Sequence, residues 1–200
     1  MMSACDTVES LLRRIASPDP SGGGGAAAAL TGATAAALVA MVAGVAARRA
    51  PEDARLREIV DEMQVLRARM LALIDEDVAA FGLVVDARRR TDATRADAVR
   101  EALLGATQVP LELASASARV LERCAAVLPA ARPSTVADLG VAATLAAAAL
   151  EGAALTARAN LETLDVPAFV AESQRRLDEL LCEGAALRAR LPRAGGDSRS

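Results

Sequence analysis

The chain has no lysine, no histidine, no tryptophan and no tyrosine, and aromatic side chains make up 1% of it, both of them phenylalanine. Each absence removes a class of chemistry. Without histidine there is no serine triad and no imidazole-ligated metal, and without lysine there is no Schiff base. A β-sandwich core would lack its usual aromatic and β-branched material. The 53% hydrophobic content must come from Ala, Leu and Val, which favours closely packed helices. All 23 cationic residues are Arg, and the formal net charge of −3 argues against nucleic acid as the main partner. Cys5, Cys124 and Cys182 are odd in number and widely spaced. They match neither a zinc pattern nor a disulfide framework, and fit a reducing, cytoplasmic setting. No basic flank leads into an apolar run at the N-terminus, so no signal peptide is expected.

What is present starts with Ser21-Gly22-Gly23-Gly24-Gly25, running straight into the uncharged, Ala-rich segment Ala26–Ala47. Glycines let another group approach the backbone closely. A helix opening there presents unpaired N–H groups and the positive end of its dipole. A flexible connection is the plainer alternative. Ala26–Ala47 is long enough to span a bilayer, but Ala, Gly and Thr partition weakly into lipid, so a buried core helix is expected and no membrane role.

The rest of the 200 residues reads as one helical domain, 1–191, with a disordered tail, 192–200. Asp6-Thr7-Val8-Glu9 resembles a capping box ahead of a first helix that Pro18 and Pro20 end. A third, long helix opens at Pro51 and runs to about Arg90. A fourth follows the break at Thr91–Thr94, bends at Pro110 and resumes to Leu128. Pro129–Pro133 forms a loop, Ser134 or Thr135 caps a fifth helix ending near Leu161, and Asp165 and Pro167 open the last. No segment alternates with period two for long enough to be a strand. The expected fold is all-α, a bundle of about five to six long helices.

Two patterns break the packing. In the third helix the apolar steps from Leu73 to Phe81 land on Asp77, while Asp75 turns about 200° away and should face solvent. A buried carboxyl has a raised pKa and can serve as an acid/base near neutrality. It is equally a structural group when it caps a helix or meets an Arg from another one. In the fifth helix Asp138, Ala142, Leu145, Ala149, Gly152, Thr156 and Asn160 form one stripe of small and polar residues, open to a ligand or to close helix packing. The runs Arg88–Arg90 and Arg188–Arg193 read as solvated surface.

Taken in order, Ser17-Pro18-Asp19-Pro20-Ser21 with Gly23-Gly24-Gly25, Met41-Val42, Ile74–Phe81, Val109-Pro110-Leu111, Asp138–Ala143 and Asn160-Leu161 resemble the cyclodeaminase/cyclohydrolase family. That family is typified by the C-terminal domain of formiminotransferase-cyclodeaminase and by bacterial methenyltetrahydrofolate cyclohydrolases. The resemblance covers roughly Val8 to Phe169. It implies an all-helical fold, a homodimer or higher assembly joined through helix faces, and a tetrahydrofolate-type substrate with no metal and no further cofactor. It implies Asp77 as the proton-relay carboxyl, Asp138, Thr156 and Asn160 as substrate-binding groups, and Gly23, Gly24 and Gly25 as amides for a carboxylate or a developing charge. A protein of the same fold that binds a folate-like molecule or a protein partner without turnover is the other reading.

Overall fold

The Ala-rich segment becomes the centre of the structure. The structure, a computed structural model, describes residues 7–18 and 23–193. Among them are six α-helices and no strand: α1 (Val8–Ile15), α2 (Gly24–Ala47), α3 (Ala54–Arg89), α4 (Arg95–Val127), α5 (Pro133–Leu161) and α6 (Pro167–Ala189). Helices α2, α3, α4 and α5 surround one core in sequence order, each packed on the next, and α2 closes the ring against α5. Helix α6 lies over α4 and α5. Short connections force consecutive helices to run antiparallel.

Contacts across the helices fix the register. Gly25 faces Asp77 and Gly32 faces Met70 between α2 and α3, and Gly152 meets Ala28 between α5 and α2. Arg69 Nε donates to Glu112 Oε1 at 2.6 Å, and Arg119 pairs with Glu62, tying α3 to α4. A Cβ on Gly152 would stand 3.1 Å from the Ala28 methyl, so small residues are what let α2 and α5 approach this closely. Both helices are long and apolar enough to cross a membrane by composition. Here each turns one face into the core, with Ala35, Ala36, Val42, Ala143, Ala146 and Ala153 fully buried. That packing accounts for the apolarity of their inward faces.

Several local expectations need correction. Thr7 caps α1, its hydroxyl accepting from Ser10 N–H at 3.2 Å; Asp6 lies outside the described residues. Of the apolar residues Val8, Leu11, Leu12 and Ile15, whose helical spacing suggests one inward face, Leu11 is buried while Val8 and Leu12 are exposed. Helix α3 starts at Ala54, because the Asp53 carboxylate accepts from Arg55 N–H, and Pro51 precedes it in a turn. Pro133, not Ser134 or Thr135, opens α5, and the Thr135 hydroxyl accepts from Arg132 N–H as the N3 half of a cap. Helix α4 continues through Pro110. Asp75 is half-buried, and its Oδ1 is shielded without a hydrogen-bond partner among the described residues. Arg188 is not simply solvated: it donates to the Leu191 and Pro192 carbonyls and to Thr144 Oγ1. Asp19 and Pro20, Ser21 and Gly22 of the glycine stretch, Cys5 and tail residues 194–200 lie outside the described residues.

Candidate active site

The register leaves the four helices unequal at one end. Because Gly25 pairs with Asp77, the part of α3 beyond Asp77 projects past the start of α2, together with the start of α4. Under this projecting hairpin, against the first turn of α2 and the last turns of α5, lies a cavity of about 330 Å³. That is at the small end for a ligand site. Its lining includes Gly23, Gly24, Asp77, Phe81, Arg88, Thr156 and Asn160.

Asp77 is the chemical centre of this cavity. It lies on the apolar seam of α3, and a Cβ on Gly25 would sit 2.6 Å from its Oδ2 and 2.8 Å from its Cγ. The carboxyl therefore rests directly on the glycine backbone. Burial pushes its pKa above the usual carboxylate range. No ion pair or hydrogen bond to Asp77 occurs among the described residues, so the Arg-partner and capping alternatives are not realised. Among the described residues the rest of the lining is apolar, hydroxyl, amide or guanidinium, and none of these exchanges protons near neutral pH. Glu76, next in the chain, points to the other side and pairs with Arg69.

Asn160 reaches the site through a defect in α4. Pro110 has no N–H to offer the carbonyl four residues back, which is that of Ala106. The Asn160 side chain fills the gap, with Nδ2 donating to Ala106 O at 3.2 Å. A carbonyl can only accept, so this bond fixes which end of the amide is nitrogen and leaves Oδ1 for another donor. One turn earlier the Thr156 hydroxyl donates to Gly152 O at 3.1 Å and stands near Gly24. The first helical bond of α2 runs from Ala27 N–H to Gly23 O at 3.2 Å. The N–H groups of Gly24, Gly25 and Ala26 therefore precede the ladder.

The cavity thus unites Gly23, Gly24, Asp77, Thr156 and Asn160, with Gly25 behind Asp77. Asp138 does not join them. It sits half-buried at the other end of α5, about 33 Å along the axis from Asn160 at 1.5 Å per residue. The stripe that linked them shares a face of the helix but not an end. Phe81 and Arg88 also line the site and were read as seam and surface. Continuing the seam from Asp77 by steps of four, three and four passes Phe81 and Val84 and reaches Arg88. Among the described residues no group of three His, Cys, Asp or Glu side chains could hold a metal ion.

The profile of the family described as formiminotransferase-cyclodeaminase matches residues 7–179. The chain belongs to the formiminotransferase-cyclodeaminase family. Within it, the chain is similar to the methenyltetrahydrofolate cyclohydrolase of Methylorubrum extorquens, 35% identical over 199 residues, covering 95% of this chain and 96% of that protein. It is 30% identical over 185 residues to the formimidoyltransferase-cyclodeaminase of Sus scrofa, covering 88% of this chain. It spans only 34% of the length of that protein. The solved formiminotetrahydrofolate cyclodeaminase of Thermotoga maritima superposes with a TM-score of 0.87 over 93% of both chains at 21% identity. This likeness shows that the two share a fold.

Proposed function

We propose that the protein is a folate one-carbon enzyme that hydrolyses 5,10-methenyltetrahydrofolate to 10-formyltetrahydrofolate, with Asp77 as acid/base. The observation that carries this reading is the desolvated Asp77 carboxyl, the one proton carrier among the described residues that line the cavity. The methenyl carbon is part of a cationic amidine, so an anionic Asp77 stabilises the bound substrate. The carboxylate takes a proton from water as its oxygen bonds to that carbon. It then returns the proton to N5 as the C–N5 bond breaks. The hydroxyl proton leaves as the formyl C=O forms, so one proton is released per turnover. The free Oδ1 of Asn160 accepts from a pterin N–H, Thr156 lines the same wall, and the open amides of Gly24 and Gly25 face developing negative charge. No step is a redox step, and the reading calls on no cofactor beyond the folate.

Similarity along nearly the whole length of a cyclohydrolase favours hydrolysis. Cyclodeamination is the second reading, supported by the porcine relative. There N10 attacks the carbon of the protonated formimino group, its proton passes to Asp77, and the same carboxyl protonates the amino group, which leaves as ammonia. Purified protein mixed with 5,10-methenyltetrahydrofolate would lose methenyl absorbance faster than buffer hydrolysis, and Asp77→Ala would return the rate to background. Equal rates with and without protein, or full activity in Asp77→Ala, would refute the assignment.

The proposal extends to a cytoplasmic homodimer. Helix α2 carries no charged residue, and beside it the face of α5 that sets Gly152 against Ala28 carries the exposed, uncharged Val141, Ala148 and Leu155, with Glu151 exposed on the side towards α6. On it Val141 is 52% and Leu155 70% exposed. Such a patch marks a protein interface. Asp138 lies at the edge of this face, at the end opposite Asn160. Antiparallel packing of α5 on a second copy therefore brings Asp138 towards the partner's cavity, its route to a substrate-binding role.

A further inference from the structure

Along one face of α3 the cavity presents an acid, an aromatic ring and a cation in order: Asp77, Phe81 and Arg88. Asp77 and Arg88 are about three turns apart, roughly 16 Å, and within about 20° of the same direction around the helix. Side chains on a helix lean towards its N-terminus, so the Arg88 guanidinium reaches back over the cavity towards Asp77. Phe81 is 42% exposed between them.

The guanidinium of Arg88 differs from its neighbours. Arg89 lies 3.7 Å from Asp86, and Arg90 is held by Asp92 and Thr94. Arg88 has no ion pair among the described residues; only its backbone carbonyl is engaged, accepting from Arg95 Nε at 3.1 Å. Its carboxylate neighbour Asp86 is taken by Arg89. Among the described residues, a cation without an ion pair stands at the mouth of the cavity and the one acid lies at its far end, an arrangement that suits an anionic group on the ligand.

We propose that Arg88 binds the carboxylate tail of the substrate and that Phe81 packs on the ring joining that tail to the reacting nitrogens. The proposal rests on the folate reading above. A tetrahydrofolate carries its one-carbon group at N5 and N10, then an aminobenzoyl ring, then an amide-linked glutamate with two carboxylates. With the one-carbon group at Asp77, the gap left after the Arg88 side chain reaches back is about 10 Å, matching the aminobenzoyl ring and its amide. Arg88 is a specificity residue: it selects substrates that end in a carboxylate and takes no part in proton transfer.

The test compares 5,10-methenyltetrahydrofolate with 5,10-methenyltetrahydropteroate, which lacks the glutamate. Arg88→Ala should raise KM for the folate compound about tenfold or more, the worth of a charge-assisted hydrogen bond, with kcat little changed. KM for the pteroate compound should be the same in wild type and variant. Arg89→Ala, which removes a neighbouring cation outside the cavity, should change neither. An unchanged folate KM in Arg88→Ala, or an equal rise for both substrates, overturns the proposal. If wild type turns over neither compound, the catalytic reading fails separately and Arg88 is decided by calorimetry with 5-formyltetrahydrofolate. Binding at least tenfold weaker in Arg88→Ala supports the proposal, whereas absent or equal binding overturns it.

Discussion

Replacing Gly25 by alanine tests the link between fold and chemistry most directly. The added Cβ would stand 2.6 Å, 2.8 Å and 2.9 Å from Oδ2, Cγ and Oδ1 of Asp77, all inside contact distance. Asp77 must therefore swing away. Overpacking of this kind costs about 1–3 kcal/mol, while alanine in place of helical glycine returns roughly 0.5–1 kcal/mol. The net destabilisation is roughly 0–2.5 kcal/mol, a fall in Tm of at most about 10 °C for a chain of this size. Displacing a reacting group by an ångström costs about 10²-fold in rate, so turnover should fall far more than stability. The assays are thermal unfolding and loss of methenyl absorbance. Gly24→Ala is the control, since its Cβ would meet only Thr156 Oγ1 at 3.9 Å. Adding Asp77→Ala to Gly25→Ala should restore the lost stability, because the two changes share one contact. A Gly25→Ala enzyme within twofold of wild type would refute the claim that the seat of Asp77 on this glycine is needed for turnover.

Three further outcomes are expected. With burial raising the Asp77 pKa and the carboxylate acting as base, kcat/KM should fall as pH drops through that raised value. Its contribution to stability runs the other way, complete in acid and lost as pH rises through the same value. Asp77→Asn, neutral throughout, should therefore unfold at a higher temperature than wild type near neutral pH and lose that advantage in acid. Asn160→Ala leaves the Ala106 carbonyl unsatisfied and should cost about 1–3 kcal/mol. Pro110→Ala supplies a backbone N–H for that carbonyl, so combining the two should recover Tm by calorimetry while KM stays raised. Val141→Arg on the uncharged face should shift sedimentation from dimer to monomer and lower activity with it.

The helices were legible because Ala and Leu periodicity, Pro and Gly are local signals. Their starts were less so: Asp53 and Thr7 won as caps because side-chain geometry, not spacing, selects the N-cap. Asp77 was legible because one carboxylate interrupts an apolar series. Its lack of a partner among the described residues was not, since that depends on what α2 brings opposite, and α2 brings glycine. Asp138 and Asn160 looked like one site because periodicity reports the face of a helix and says nothing of distance along it. The bond from Asn160 to Ala106 joins two motifs more than fifty residues apart in sequence, and only the α4–α5 register reveals that the proline creates the vacancy the amide fills. Arg88 was hidden within a run of three arginines whose other members have local carboxylate partners.

The projecting α3–α4 hairpin also has a kinetic consequence. Its amides lie beyond the ends of α2 and α5, so they can open without disturbing the Ala-rich centre. Hydrogen exchange there should proceed by local opening, whereas the amides of α2 around Ala35 and Val39 should exchange only when the whole chain unfolds. A ligand spanning Asp77 and Arg88 would clasp the hairpin along its length and slow exchange at its tip. The part of the molecule that closes over the substrate would then be the part whose fraying sets how quickly product leaves.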